Sequence, residues 1–185
     1  GVSIVQSIED YEKSFTEAAK WSKNGSVILE EYYCGREFSV DGVVINEATI
    51  IFAVSEKFNL GSSYNFTMSG FATGSLSCED EVLRKKLNEI INIALLAVKA
   101  LEIDNSFFSA DVILSEKGPI LLECGILLDA KIDRLLNFAG VDVYTTMCKI
   151  ASGENIHGLP PILQKGYALK FMFATKEGKL KVAHR

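Results

Sequence analysis

Residues 27–37 read VILEEYYCGRE, an apolar stretch that runs into two acids, two tyrosines, a glycine and a third acid. An extended segment of this kind can offer backbone N–H and C=O groups to the edge of an adenine. A carboxylate a few residues further on can accept bonds from ribose hydroxyls, and tyrosine rings supply apolar walls. The same residues equally describe a strand that leaves a core toward a turn at Gly35. Residues 108–123 read FSADVILSEKGPILLE, two β-prone runs around a short polar turn. Such a hairpin puts Asp111 and Glu123 on facing strands with both carboxylates to one side. Like charges repel, so two acids held together beside a nucleotide call for a divalent cation. Mg2+ suits the position, because it takes carboxylate and phosphate oxygens and leaves its remaining positions to water. Two exposed acids at strand ends would give the same spacing.

The elements that must position these groups follow from periodicity. Apolar Ile8, Tyr11, Phe15, Ala18 and Ala19 recur at helical spacing from Ser7, a capping residue, to Trp21, with Gly25 beyond the end. Strands are predicted over Val27 to Glu31 and Glu37 to Val44, the second alternating Phe38, Val40 and Gly42 against Glu37, Ser39 and Asp41. Asp41-Gly42 also fits a turn. Thr49 to Val54 continues the sheet. Asn59 to Ser77, rich in Gly, Ser, Asn and Thr, is expected to be a long loop. Glu79 to Leu101 carries one apolar stripe with acids in its first turn and predicts the longest helix. Ile132 to Phe138 and Val143 to Ser152 predict short helices, the second beginning after Asp142. Tyr167 to Ala174 and Leu180 to Val182 predict a closing hairpin. Antiparallel pairs with helices set between them make an α+β arrangement, which disfavours a Rossmann alternation.

Composition narrows the function classes. At 185 residues and 48% apolar, the chain can bury a sizeable core in one or two domains. Its 24 acidic and 19 basic residues are dispersed, so no basic surface points to nucleic acid or to a membrane. No apolar run approaches a spanning helix and the amino end lacks the order of a signal peptide, so a cytoplasmic protein is expected. Cys34, Cys78, Cys124 and Cys148 show no metal spacing with His157 or His184 and fit reduced thiols. Cys124, with no histidine partner, fits a small buried residue better than a nucleophile. Lys57, after the third strand, is expected to cap a sheet edge, with a phosphate contact as the alternative. The opening on Gly-Val-Ser-Ile-Val, without Met, suggests an excised piece.

Taken in order, a strand ending in Glu-Glu-x-x-x-Gly-x-Glu at residues 30–37, a long helix and an acid-bearing hairpin make the chain resemble the ATP-grasp superfamily. The likeness is to its carboxylate-amine ligases and its carbamoyl-phosphate synthase and glycinamide ribonucleotide synthetase group. It covers nearly the whole chain and implies an α+β ATP-grasp fold, an antiparallel sheet with flanking helices, truncated at the N-terminus. It divides the chain into a remnant of the first subdomain at 1–33, a second subdomain at 34–158 and a C-terminal β-hairpin extension at 159–185.

The resemblance further implies ATP and Mg2+ as cofactors. Glu30, Glu31 and Tyr33 would form the hinge beside adenine, Glu37 would bind the ribose hydroxyls, and Asp111 and Glu123 would ligate Mg2+ at the β and γ phosphates. The implied chemistry is phosphorylation of a small-molecule carboxylate to an acylphosphate that an amine attacks, forming a C–N bond and ADP. Many relatives are dimers, which admits a homodimer. The phosphate loop would lie upstream of residue 1, so these residues alone are expected to turn over little or no ATP. One departure stands out. Gly125 occupies the place of the family's metal-binding Asn, and Leu127 the place of its Arg. Asp129 and Lys131 are candidate catalytic replacements for the lost ligand and the lost positive charge; loop charges beside a helix start are the alternative. The rival function is a degenerate nucleotide-binding or regulatory module that keeps the fold without turnover.

Overall fold

The computed structural model describes residues 2–59, 68–73, 80–126, 130–138, 140–154, 156, 158–159, 166–173 and 178–179. In these, helices α1 (Ile8–Trp21), α2 (Glu81–Ala100), α3 (Ala130–Phe138) and α4 (Val143–Ser152) accompany six strands: β1 (Gly35–Ile45), β2 (Ala48–Asn59), β3 (Met68–Thr73), β4 (Ser106–Ser115), β5 (Gly118–Gly125) and β6 (Tyr167–Lys170). The strands form one sheet in the order β5-β4-β1-β2-β3-β6, with antiparallel pairing throughout.

Helices α1, α2 and α4 start where the sequence supplies side-chain caps. Ser7 accepts from the Asp10 amide at 3.1 Å, Asp80 from the amides of Val82 and Leu83, and Asp142 from that of Thr145. Each cap satisfies amides that have no partner inside the helix. The α2 stripe of Leu87, Ile90, Ala94 and Val98 packs on one sheet face against Phe38, Val40, Val44, Val54, Phe108, Ala110 and Val112. The opposite face is covered at one end by α3 and α4, whose Ile132, Leu135, Leu136, Val143 and Ile150 pack on Val43, Phe52, Ala53, Phe71 and Phe107.

At the centre, β1 pairs with both β2 and β4. Gly42 lies inside β1, beside a bulge at Asp41/Gly42, and not in a turn. A Cβ there would come within 2.5 Å of the Ile50 carbonyl oxygen and 2.8 Å of the Phe108 ring, so the close approach of strand and ring requires glycine. The β1–β2 hairpin turns at Asn46 and Glu47, both at positive φ. Their amides donate to Asn105 and Asp104 in the turn before β4.

Two expectations are revised. Val27 to Glu31 forms no strand. Both sides of β1 are occupied by β2 and β4, and none of the described residues pairs with residues 26–34. The loop expected over Asn59 to Ser77 contains β3, whose short sequence becomes a strand by pairing with β2 and β6. β6 is likewise set by a distant partner, with Tyr167 opposite Thr73. Leu180 to Val182 lie outside the described residues, as do residues 60–67 and 74–77 of the expected loop.

Candidate functional site

The sheet face opposite α2 is not apolar along its whole length. Antiparallel register places Glu123 opposite Asp111, Asp111 opposite Ser39, Ser39 opposite Ser55, and Ser55 opposite Thr73. Directly opposed residues share a face, so five strands contribute to a single polar row. The neighbouring row holds Glu37 opposite Lys57; on the other side, Asp41 faces Ser109, which faces Gly125. The expected meeting of Asp111 and Glu123 therefore rests on a defined register. Asp111 is half-buried and Glu123 exposed at the rim.

Lys57 ties this face together. Its ammonium donates to Glu37 Oε1 at 3.0 Å and, through a shorter contact, to Asp111 Oδ2, with only 12% of the lysine side chain exposed. β2 is an interior strand, so Lys57 does not cap a sheet edge. Burial is the largest single influence on its pKa and disfavours the charge. The bonds and charges of Asp111 and Glu37 together outweigh that effect, and the pKa is raised.

Beneath these charges lie buried polar groups that sequence reasoning passed over as candidates. Ser39, Asp41 and Ser55 are almost wholly buried. Ser39 Oγ donates to Asp41 Oδ2 at 3.1 Å and lies 3.2 Å from Ser109 Oγ, whereas Ser55 Oγ has no hydrogen-bond partner among the described residues. The signal was the alternation of Glu37, Ser39 and Asp41. It shows that one face of the strand is polar, but only the register reveals that Asp111 and Lys57 share that face.

Glu30, Glu31 and Tyr33 lie on the segment leading into β1. Tyr33 donates to Glu31 Oε2 at 2.7 Å, and Lys117, from the β4–β5 turn, donates to Glu31 Oε1 at 3.1 Å and sits 5.6 Å from the Tyr33 ring centroid. The bond from Tyr33 and then that from Lys117 lower the Glu31 pKa. Tyr33, Gly35, Glu37, Lys57, Asn59 and Ile113 contribute to the lining of a cavity of about 300 Å³. It lies between the segment before β1 and Lys57 and has walls of aromatic, acidic and basic groups.

The acids fit a hard divalent cation. Among the described residues no three or more His, Cys, Asp or Glu converge as a complete protein cage. Two carboxylates on one open face are the donor set of an ion that completes its shell with phosphate and water, as Mg2+ does. Gly125, opposite Ser109, leaves open ground beside Glu123, since a Cβ there would meet nothing within 4 Å. Asp129, Leu127 and the side chain of Lys131 lie outside the described residues, as does His157. Burial raises the Cys124 pKa, which fits a packed thiol and not a nucleophile. No described helix is long and apolar enough to cross a membrane.

Comparison with known proteins agrees with this architecture. The fold is similar to phosphoribosylglycinamide synthetase from Anaerococcus prevotii, with a TM-score of 0.57 at 20% identity over 83% of this chain and 38% of that one. It is similar to an L-amino acid ligase from Bacillus licheniformis, with a TM-score of 0.58 at 18% identity over 78% of this chain and 32% of that one. It is also similar to the biotin carboxylase domain of a thermophilic 2-oxoglutarate carboxylase, with a TM-score of 0.59 at 17% identity over 87% of this chain and 36% of that one. The chain thus spans a little over a third of the length of these structures or less. No curated protein matches it significantly. Residues 1–124 match the family model described as D-ala D-ala ligase C-terminus. With an α+β antiparallel sheet that carries two acids side by side on one face, the chain has the ATP-grasp fold and belongs to the D-ala D-ala ligase C-terminus family.

Proposed function

We propose that this chain forms the nucleotide- and metal-binding part of an ATP-dependent carboxylate-amine ligase. The observation that carries the reading is the register that brings Asp111 and Glu123 together on the face where Glu37 and Lys57 stand one row away. In this reading Glu30, Glu31 and Tyr33 line the adenine, with Glu31 held by Tyr33 and Lys117. Glu37 accepts bonds from the ribose hydroxyls. Asp111 and Glu123 hold Mg2+, which when bound neutralises charge on the β and γ phosphates during transfer to a carboxylate. The substrates are a small carboxylic acid and an amine, and the complete ligase forms a C–N bond and ADP. Asp129 and Lys131 are proposed to take over from the family's Asn and Arg.

A second reading, a nucleotide-binding module without turnover, draws on Gly125, which supplies no side-chain oxygen where the family motif has Asn. The two readings part on one experiment. Melting is followed with ADP or a nonhydrolysable ATP analogue, with and without Mg2+, in the protein extended upstream through the phosphate loop and in its Asp111→Asn/Glu123→Gln variant. ADP release in the presence of carboxylate and amine pairs is followed in parallel. Nucleotide at about 100 times its dissociation constant stabilises by roughly 2.7 kcal/mol. A Mg2+-dependent shift that the double variant loses supports the metal site, and ADP release then selects the ligase. A shift with no ADP release against any pair selects the binding module. Equal shifts in both proteins sink the metal assignment.

A further inference from the structure

We propose that the Lys57 ammonium is a built-in stand-in for the divalent cation. It holds Glu37 and Asp111 in the absence of nucleotide, so that metal enters only together with nucleotide phosphates. This rests on the metal-site reading above and adds an order of binding to it.

Among the described residues, Glu37 and Asp111 each form an ion pair with Lys57. One ammonium therefore serves two carboxylates that would otherwise repel across neighbouring strands. The side chains of Lys57 and Asp111 are 12% and 15% exposed, so water screens this group poorly. A dication approaching Asp111 meets an acid whose Oδ2 is already engaged, and a positive charge within bonding distance of it. Among the described residues, Glu123 at the rim is the remaining carboxylate of the pair. The ground at Gly125 offers no side-chain oxygen. Metal alone thus meets one carboxylate of the pair already engaged, and a neighbouring cation beside it.

Phosphates change the balance in two ways. They add oxygen ligands, which Mg2+ prefers to combine with one or two carboxylates, and they add the negative charge that lets ammonium and dication share one face. Metal and nucleotide then bind with positive coupling, and coupling between two ligands is reciprocal.

The test uses Mn2+, whose free ion is read by electron paramagnetic resonance. Binding is measured in the wild type, Lys57→Met, Lys57→Gln and Lys57→Arg, each with and without a nonhydrolysable ATP analogue. The expected result is weak Mn2+ binding to the wild type and Lys57→Arg without nucleotide. The two neutral variants bind Mn2+ alone on the order of tenfold or more tighter than wild type, as removal of an adjacent cation in a poorly screened site requires. Their nucleotide-induced gain is correspondingly smaller. If wild type with nucleotide binds Mn2+ but the neutral variants alone bind it no better than wild type, the inference is overturned while the metal site stands. If wild type with nucleotide binds no Mn2+, the metal-site reading itself falls and the inference falls with it. Melting separates a folding defect from both cases. A neutral variant that melts early and regains its melting temperature with Mn2+ supports the stand-in role, and a loss that Mn2+ leaves untouched in both neutral variants overturns it.

Discussion

Glu37, Lys57 and Asp111 sit on three adjacent strands, β1 between β2 and β4, and are held together by ion pairs over a floor of buried Ser39, Asp41 and Ser55. Glu30, Glu31 and Tyr33 instead lie on a segment with no strand pairing, where Ile28 is 83% and Leu29 71% exposed. The helix before that segment, α1, has no buried residue, although its apolar positions recur as regularly as those of α2. Amphipathic periodicity sets where a helix forms and which stripe it offers. Burial of that stripe needs a second surface, which the sheet gives to α2. The Lys57 half of the candidate site is accordingly over-determined by its neighbours, and the half at residues 30–33 is tied to the sheet chiefly through Lys117 and the turn it comes from.

The sharpest way to break this contrast is to compare deletions of apolar bulk in the two regions. Phe108 is 1% exposed between α2 and the sheet. Phe108→Ala is expected to cost about 3–5 kcal/mol in urea unfolding, through lost transfer energy and the cavity left behind. Tyr11→Ser combined with Phe15→Ser in α1, where the two side chains are 39% and 41% exposed, is expected to change the same measurement by only about 0.5 kcal/mol per site or less. A loss comparable to that of Phe108→Ala would mean that α1 is packed in solution and that the contrast fails.

A smaller effect concerns the segment that carries Glu31. The Glu31 pKa lies below its ordinary 4.5 because of Tyr33 first and Lys117 second. A lowered carboxyl contributes stability that is present above the unfolded value and is lost as pH falls through the folded one. The Glu31 carboxyl carbon followed by NMR should therefore titrate below 4.5 in the wild type and move upward in Lys117→Met, without reaching the unfolded value while Tyr33 remains bonded. An unmoved midpoint would show that Lys117 does not hold the segment in solution.

Much of this was legible in the chain itself. The hairpin carrying Asp111 and Glu123 was foreseen because alternation and a polar turn are local signals, and the observed strands Ser106–Ser115 and Gly118–Gly125 contain the predicted runs. Helix α4 begins after Asp142 as expected, since a side-chain cap is decided within four residues. Val27 to Glu31 misled because an apolar run reports only a wish for burial. Whether it pairs depends on a free strand edge, and β1 has none to offer. β3 was missed for the converse reason, since its six residues carry little signal of their own and owe their conformation to β2 and β6.

Lys57 marks the boundary between the two kinds of information. Its sequence neighbours say only that a lysine follows a strand, and its partners Glu37 and Asp111 lie 20 and 54 residues away. The sequence by itself determined the helices, their caps, the acid-bearing hairpin and the family resemblance, because each depends on residue types at short fixed spacings. Only the tertiary structure decided that five strands share one polar row, that a lysine bridges two of the site's acids and that Ser39 and Asp41 lie beneath them. Those facts depend on register between strands distant in sequence, where a shift of one residue would turn every side chain to the other face.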